Sequence, residues 1–237
     1  MKNDFSFLKR HLKIILIYSA IFIHISLVFS NDLEEAVLEI RYDNYDKAIN
    51  ILQKLLAYDK ENPDAYFYLG LAYEQKNQYD DALLIMKKGL NYVQDELKKG
   101  ELYFNLGNNY YKKMDYNSAL NMYSQAIVLN PAINGVYLHK GQSFYKLKNY
   151  EKTVEQWELY LEKKPDTPQH ENIINAIAFL KNILAREKEK KALEEKQRKE
   201  LLDDLLNQID SISKDSKGVR VKEKNIKESP DIFELEK

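Results

Sequence analysis

One short phrase occurs four times in this chain, and its spacing restricts the fold more than any other feature. Asn-Tyr-Asp-Lys-Ala (44–48), Gln-Tyr-Asp-Asp-Ala (78–82), Asp-Tyr-Asn-Ser-Ala (115–119) and Asn-Tyr-Glu-Lys-Thr (149–153) set tyrosines at 45, 79, 116 and 150, in steps of 34, 37 and 34 residues. A fixed period of this size marks a stacked array of supersecondary units that share one continuous core. Apolar residues around each phrase keep helical spacing. Leu33, Ala36, Val37 and Ile40 precede the first tyrosine, and Ala48, Leu52 and Leu55 follow it. Tyr66, Leu69, Gly70 and Tyr73 precede the second, with Ala82 and Met86 behind it. The tyrosine therefore opens the second helix of a pair. Only seven glycines and five prolines in 237 residues argue against a turn-rich β architecture, and 44% apolar residues suffice for a packed core, so the class is all-α.

The third copy carries Tyr103, Leu106, Gly107, Tyr110, Tyr116, Ala119, Tyr123, Ala126 and Pro131; the fourth carries Tyr137, Gly141, Phe144, Tyr150, Trp157 and Pro165. This order of aromatic, Leu-Gly, Tyr, Ala, aromatic, Ala and Pro resembles the tetratricopeptide repeat (TPR) over about residues 32–167. The resemblance implies a right-handed superhelical array of antiparallel helix pairs, a TPR solenoid. Its units are a divergent first repeat at 31–62 and repeats at 63–96, 100–133 and 134–167. Glycine inside a helix costs up to ~1 kcal/mol against alanine. Its recurrence at 70, 107 and 141 therefore predicts close approach of the paired helix, with Ala48, Ala82 and Ala119 facing those positions. Lys140 and Thr153 depart from the pattern, and the 37-residue step inserts three residues near Asn91–Leu97.

The flanks differ in kind. Lys2, Lys9, Arg10 and Lys13 precede an uncharged run, Ile14–Phe29, that ends at Val-Phe-Ser. Residues 1–30 thus read as an export signal cleaved after Ser30 or as an uncleaved membrane anchor, with His24 counting against the latter. Either outcome predicts an exported protein, periplasmic or anchored to the inner membrane and facing the periplasm. Residues 168–212 read as a capping and charged helix. Ile173, Ile177, Leu180 and Leu184 form its first apolar stripe, suited to covering the open end of a solenoid. Arg186–Glu200 is laced with charges four apart, and Leu202, Leu205, Ile209 and Ile212 offer a surface for self-association. Residues 213–237 are charged and aperiodic, and are expected to be disordered.

No catalytic constellation accompanies this frame. The chain has no cysteine, and its four histidines, at 11, 24, 139 and 170, form no metal motif, so no cofactor or metal is expected. Isolated glycines exclude a phosphate-cradling loop, and the near-neutral charge gives nucleic acid nothing in particular to bind. Paired carboxylates such as Asp80-Asp81 read as solvated helix faces. The expectation is a non-enzymatic scaffold for a protein or peptide partner.

By resemblance the first helix of each pair lines the concave groove. The groove residues are then Phe67, Tyr68, Leu71 and Glu74 in the second unit; Phe104, Asn105, Asn108, Tyr111 and Lys112 in the third; and Leu138, His139, Gln142, Tyr145 and Lys146 in the fourth. The amides can bond an extended peptide backbone, and the aromatic rings offer flat apolar area. The Lys and Asn set by which some TPR arrays grip acidic chaperone tails matches only at Asn105. In layout the chain resembles periplasmic TPR proteins that accompany von Willebrand-type membrane proteins in aerotolerance systems. An alternative role is therefore an accessory or targeting subunit of an envelope enzyme or of such a membrane complex.

Overall fold

The computed structural model describes the backbone of residues 32–223 and the side chains of residues 32–212. The expected export segment, residues 1–30, therefore lies outside the described residues, and so does the end of the expected tail. All regular structure among the described residues is helical: α1 (32–41), α2 (Tyr45–Tyr58), α3 (Pro63–Gln75), α4 (Tyr79–Gly89), α5 (Glu96–Lys112), α6 (Tyr116–Leu129), α7 (Gly135–Lys146), α8 (Tyr150–Lys163) and α9 (His170–Glu223). The chain forms two units, one through Leu180 and one from Lys181 onward.

Each of the four tyrosine phrases opens the second helix of a pair, and the turn before it is built the same way every time. Asp43, Asn77, Met114 and Lys148 sit at φ of 61°, 59°, 62° and 58°, the left-handed conformation that closes a helix. The amide of the next residue reaches back to the helix it has just left, as in Asn44 N–H to Glu39 C=O (2.8 Å) and Gln78 to Tyr73 (2.9 Å). The same bond joins Asp115 to Tyr110 (3.0 Å) and Asn149 to Phe144 (2.9 Å). In the first two turns the tyrosine hydroxyl also donates to the left-handed residue, Tyr45 to Asp43 and Tyr79 to Asn77.

The core runs through the array as a ladder of small-against-large pairs. Gly70 faces Met86, Gly107 faces Tyr123 and Gly141 faces Trp157, so close that a Cβ at each glycine would come within 2.5 Å of the opposing side chain. Ala36 and Leu52, in the corresponding places of the first unit, share one buried cluster. The groups facing the glycines are thus the bulky residues seven beyond each tyrosine. They are not Ala82 and Ala119, whose place in the pattern suggested them. Ala82 and Ala119 are themselves fully buried, one helical turn before that contact.

The three-residue insertion appears as a redistribution of helix. α4 stops at Gly89, after 11 residues where α2, α6 and α8 have 14, and α5 starts early and runs for 17. Asp95 caps the added turn by accepting from the Leu97 and Lys98 amides. Lys98 then reaches Asp64 of the preceding unit at 2.9 Å. Lys76 pairs with Asp46 and Lys113 with Asp80 in one repeated unit-to-unit contact. One step further the chain places Leu147 and Asn117, which cannot form it.

At the end of the first unit, Ile173, Ile177 and Leu180 are buried, as their stripe predicts. Leu184 belongs to the second unit. There Leu202, Leu205, Ile209 and Ile212 are all exposed. The helix continues past Ile212 to Glu223, and the rest of the expected tail lies outside the described residues. No proline intervenes before Pro230, and one glycine costs only ~1 kcal/mol, so a helix already nucleated propagates through Gly218.

Candidate functional site

The first helices of successive units lie side by side, with α3 touching α5 and α5 touching α7. Adding the steps of 34, 37 and 34 residues lays their exposed sides out as five rows: Leu33–Phe67–Phe104–Leu138, Glu34–Tyr68–Asn105–His139, Val37–Leu71–Asn108–Gln142, Ile40–Glu74–Tyr111–Tyr145 and Arg41–Gln75–Lys112–Lys146. Every groove residue named from the sequence falls in these rows. All are half-buried except Lys112, Tyr145 and Lys146, which are exposed.

Several have tertiary partners. Phe67 and Tyr68 meet edge to face at 5.4 Å. Phe104 packs edge to face on His139 at 5.4 Å, with Tyr123 beside both rings. Asn108 accepts a hydrogen bond from the Tyr123 hydroxyl (3.0 Å), and the Asn105 side-chain amide donates to the Glu101 carbonyl (2.9 Å). Tyr111 and Tyr145 lie against Tyr116 and Tyr150, the tyrosines of their own phrases, and Tyr145 stacks on Trp157. Leu71 packs against the cluster around Met86 and Leu106. Among the described residues the Gln142 side-chain amide has no hydrogen-bond partner.

The least legible member is Asn109. The period aligns it with Ala72 and Ser143, both buried, and Asn109 is itself fully buried in a place that otherwise takes a small residue. Its side-chain N–H donates to Glu74 of the preceding unit (2.9 Å) and to the Asn105 carbonyl (2.8 Å), while its Oδ1 is buried without a partner. Burial raises the Glu74 carboxyl above its ordinary range, partly countered by the Asn109 hydrogen bond and the nearby Lys112 charge. Burial, then the Lys112 charge, lowers His139 and favours its neutral form. Tyr111 is pushed up by burial and then by Tyr116; Tyr123 rises strongly, first through burial and then through Tyr111 and Glu74. Glu74, Asn109, Lys112, His139 and Tyr123 thus form a polar centre that spans three units.

The first unit contributes to a cavity of which the groove residues named from the sequence include only Phe67 and Tyr68. It has a volume of ≈ 560 Å³ and is enclosed by α1, α3 and the start of α5, with Leu33, Val37, Phe67 and Leu102 on its walls and Arg41, Glu34 and Glu101 around it. Subtracting one period from Phe67, Tyr68 and Leu71 gives Leu33, Glu34 and Val37, so the signal was present in the repeat itself. Among the described residues no cluster of three His, Asp or Glu side chains could hold a metal ion, and no helix is long and apolar enough to cross a membrane.

A solenoid of helix pairs with a half-buried aromatic and amide groove defines a repeat-built binding protein. Sequence models of the tetratricopeptide repeat match residues 40–107 and 104–168, together just over half of the chain, which belongs to the tetratricopeptide repeat family. A curated relative, the TPR repeat-containing protein MJ0263 of Methanocaldococcus jannaschii, is 43% identical over 53 residues, which are 22% of this chain and 17% of that protein's length. Among solved structures, MamA is 23% identical with a TM-score of 0.58, the match covering 70% of this chain and 90% of MamA. YrrB, described as a TPR protein with an unusual peptide-binding site, is 20% identical with a TM-score of 0.52 over 64% of this chain and 76% of its own. At these identities the likeness to MamA and YrrB is one of fold. The TPR fold makes this chain a protein–protein interaction scaffold of a family that is typically non-catalytic.

Proposed function

We propose that the scaffold works by holding an extended segment of a partner protein along α3, α5 and α7, in the periplasm or cell envelope. The observation that carries this reading is the composition of the groove. The core is completed by the glycine ladder and the buried leucines, yet Gln142, Lys112, Tyr145 and Lys146 remain half-buried or exposed, with hydrogen-bonding groups or ring faces to spare. An extended peptide needs such donors and acceptors for its backbone and flat apolar area for its side chains. The basic n-region and apolar run of residues 2–29 support the envelope setting. An accessory role within an envelope enzyme or an aerotolerance-type membrane complex is the narrower form of the same proposal, and it rests on that layout.

The test is site-specific photocrosslinking in intact cells. A crosslinker at Asn108 or Gln142 is expected to trap a discrete partner, whereas one at Leu84 or Val128, exposed on second helices α4 and α6, is not. Equal capture from both sets would refute the groove. An unprocessed chain found in the cytosolic fraction would refute the envelope setting.

A further inference from the structure

The second unit carries an apolar face that the groove does not use. On α4 and α6 of the array one large apolar side chain each is exposed, Leu84 and Val128, as is ordinary for a protein surface. On α9 six are exposed within residues 201–212: Leu201, Leu202, Leu205, Leu206, Ile209 and Ile212. They keep to one side of the helix. With Leu202 at position a of a heptad, Ile209 also falls at a, Leu205 and Ile212 at d, Leu206 at e and Leu201 at g. Asp203, Asp204, Asn207 and Asp210 take positions on the opposite side.

We infer that this face is covered by the same face of a second copy of the chain, the two helices running parallel and in register. In a parallel pair each g side chain lies against e of the following heptad in the other copy. Leu201 then meets Leu206 and Glu194 meets Lys199, each twice by the two-fold symmetry. Within its own helix Glu194 has only an exposed contact with Lys190, at 3.8 Å. An antiparallel pair sets g against g instead, and Leu201 has no apolar counterpart there, since the neighbouring g positions hold Glu194, Gln208 and Asp215. The seam also has a defined start. Upstream of Leu201 the a and d positions hold Glu195 and Arg198, which a parallel pair sets against their own copies, so close contact begins at Leu201. A lipid surface is the poorer occupant. Residues 200–212 carry Glu200, Asp203, Asp204 and Asp210 and no basic residue, whereas a helix lying on anionic lipid needs Lys and Arg. With on the order of 100 Å² exposed on each of the six side chains, two copies bring together at most roughly 1,200 Å², the lower bound of a stable interface, so the pair forms at micromolar concentration.

Sedimentation of the full-length protein and cysteine crosslinking test this together. The wild type is expected to pass from monomer to dimer across the micromolar range. Leu202→Glu/Ile209→Glu is expected to remain monomeric, with circular dichroism and Trp157 emission unchanged because both replaced side chains are exposed. Residues 1–30 are common to every variant, so the difference between them reads the seam. The chain has no cysteine, so an introduced one reports the register. Leu205→Cys should form an intermolecular disulfide under mild oxidation, because d faces d across a parallel seam, and the two glutamates should lower the crosslinked fraction about tenfold or more. Crosslinking seen only when Leu205→Cys is mixed with Ile209→Cys overturns the parallel register, since antiparallel helices set d against a. A dimer that survives both glutamates overturns the seam. A monomer at every concentration overturns the second copy, in favour of a lipid surface if the protein floats with phosphatidylglycerol vesicles and of a different protein if it does not.

Discussion

Replacing Gly141 by alanine tests the glycine ladder at one of its two tightest rungs. The added Cβ would lie 2.4 Å from Trp157 Cδ1 and 2.5 Å from Trp157 Nε1, whereas ordinary contact needs ~3.5–4 Å, so the indole must move by about 1 Å. It cannot do so freely: Trp157 is 9% exposed, its Nε1–H donates to the Leu138 carbonyl at 3.3 Å, and its ring stacks on Tyr145. Overpacking of this kind costs ~1–3 kcal/mol, and alanine regains up to ~1 kcal/mol of helix propensity, which leaves a net loss of about 1–2 kcal/mol. Gly135→Ala is the control, because its Cβ would meet only Phe104 at 3.7 Å; it should be neutral or stabilising by up to ~1 kcal/mol. Neither glycine has a positive φ, so backbone strain does not enter. Trp157 is the only tryptophan in the chain, so urea unfolding followed by its fluorescence, with circular dichroism in parallel, reads the site directly. The expected result is a lower midpoint for Gly141→Ala with an altered native emission spectrum and an unchanged m-value. A midpoint at or above the wild type, with the native spectrum preserved, would refute the packing argument.

Three further outcomes follow from the same geometry. Met114 holds a left-handed φ while its side chain is 75% exposed, so Met114→Asn, which copies Asn77 in the preceding turn, should stabilise by ~0.5–1 kcal/mol in the same urea assay; a loss would contradict the strain. Asn109→Leu strips the half-buried Glu74 of its hydrogen bond and should cost ~1–3 kcal/mol at neutral pH, with less cost when Glu74→Gln is already present; equal cost in both backgrounds would show that the two do not act together. His139 is held below its ordinary value of 6.5, so the unfolded chain binds more protons between the two values. Its contribution is complete above 6.5 and is lost as pH falls toward the folded value. His139→Phe should flatten stability against pH in that window, and an unchanged slope would discard the assignment. Glu74, raised by burial, has the opposite sign: its contribution is present below the ordinary glutamate value and is lost as pH rises through the folded one.

Much of the array was readable in one dimension. The four tyrosines marked the starts of α2, α4, α6 and α8, because the helix-to-helix turn needs the same closing hydrogen bonds in each unit, and the same chemistry recurs at a fixed distance. The glycines at 70, 107 and 141 announced a close approach, because nothing else justifies their cost inside a helix. What approached them was not readable. Alanine and a bulky residue are both one turn apart on the partner helix, and only the crossing of the two helices brings Met86, Tyr123 and Trp157 over the gap. Asn109 is the clearest case of a residue that sequence conceals. In isolation it resembles Asn105 and Asn108, its neighbours in the groove, yet the stacking of α5 against α3 turns it into the core to hold Glu74. The cavity at the first unit lay hidden for a related reason. Leu33 and Val37 spell an ordinary apolar helix face, and the space between them and Phe67 exists only once α1, α3 and α5 are set side by side. Periodicity by itself determined the repeat, the helix pairs and the rows of the groove, since these depend on local spacing. Burial, pairing and empty volume were decided by the tertiary structure, because each depends on the distance between residues one full repeat apart.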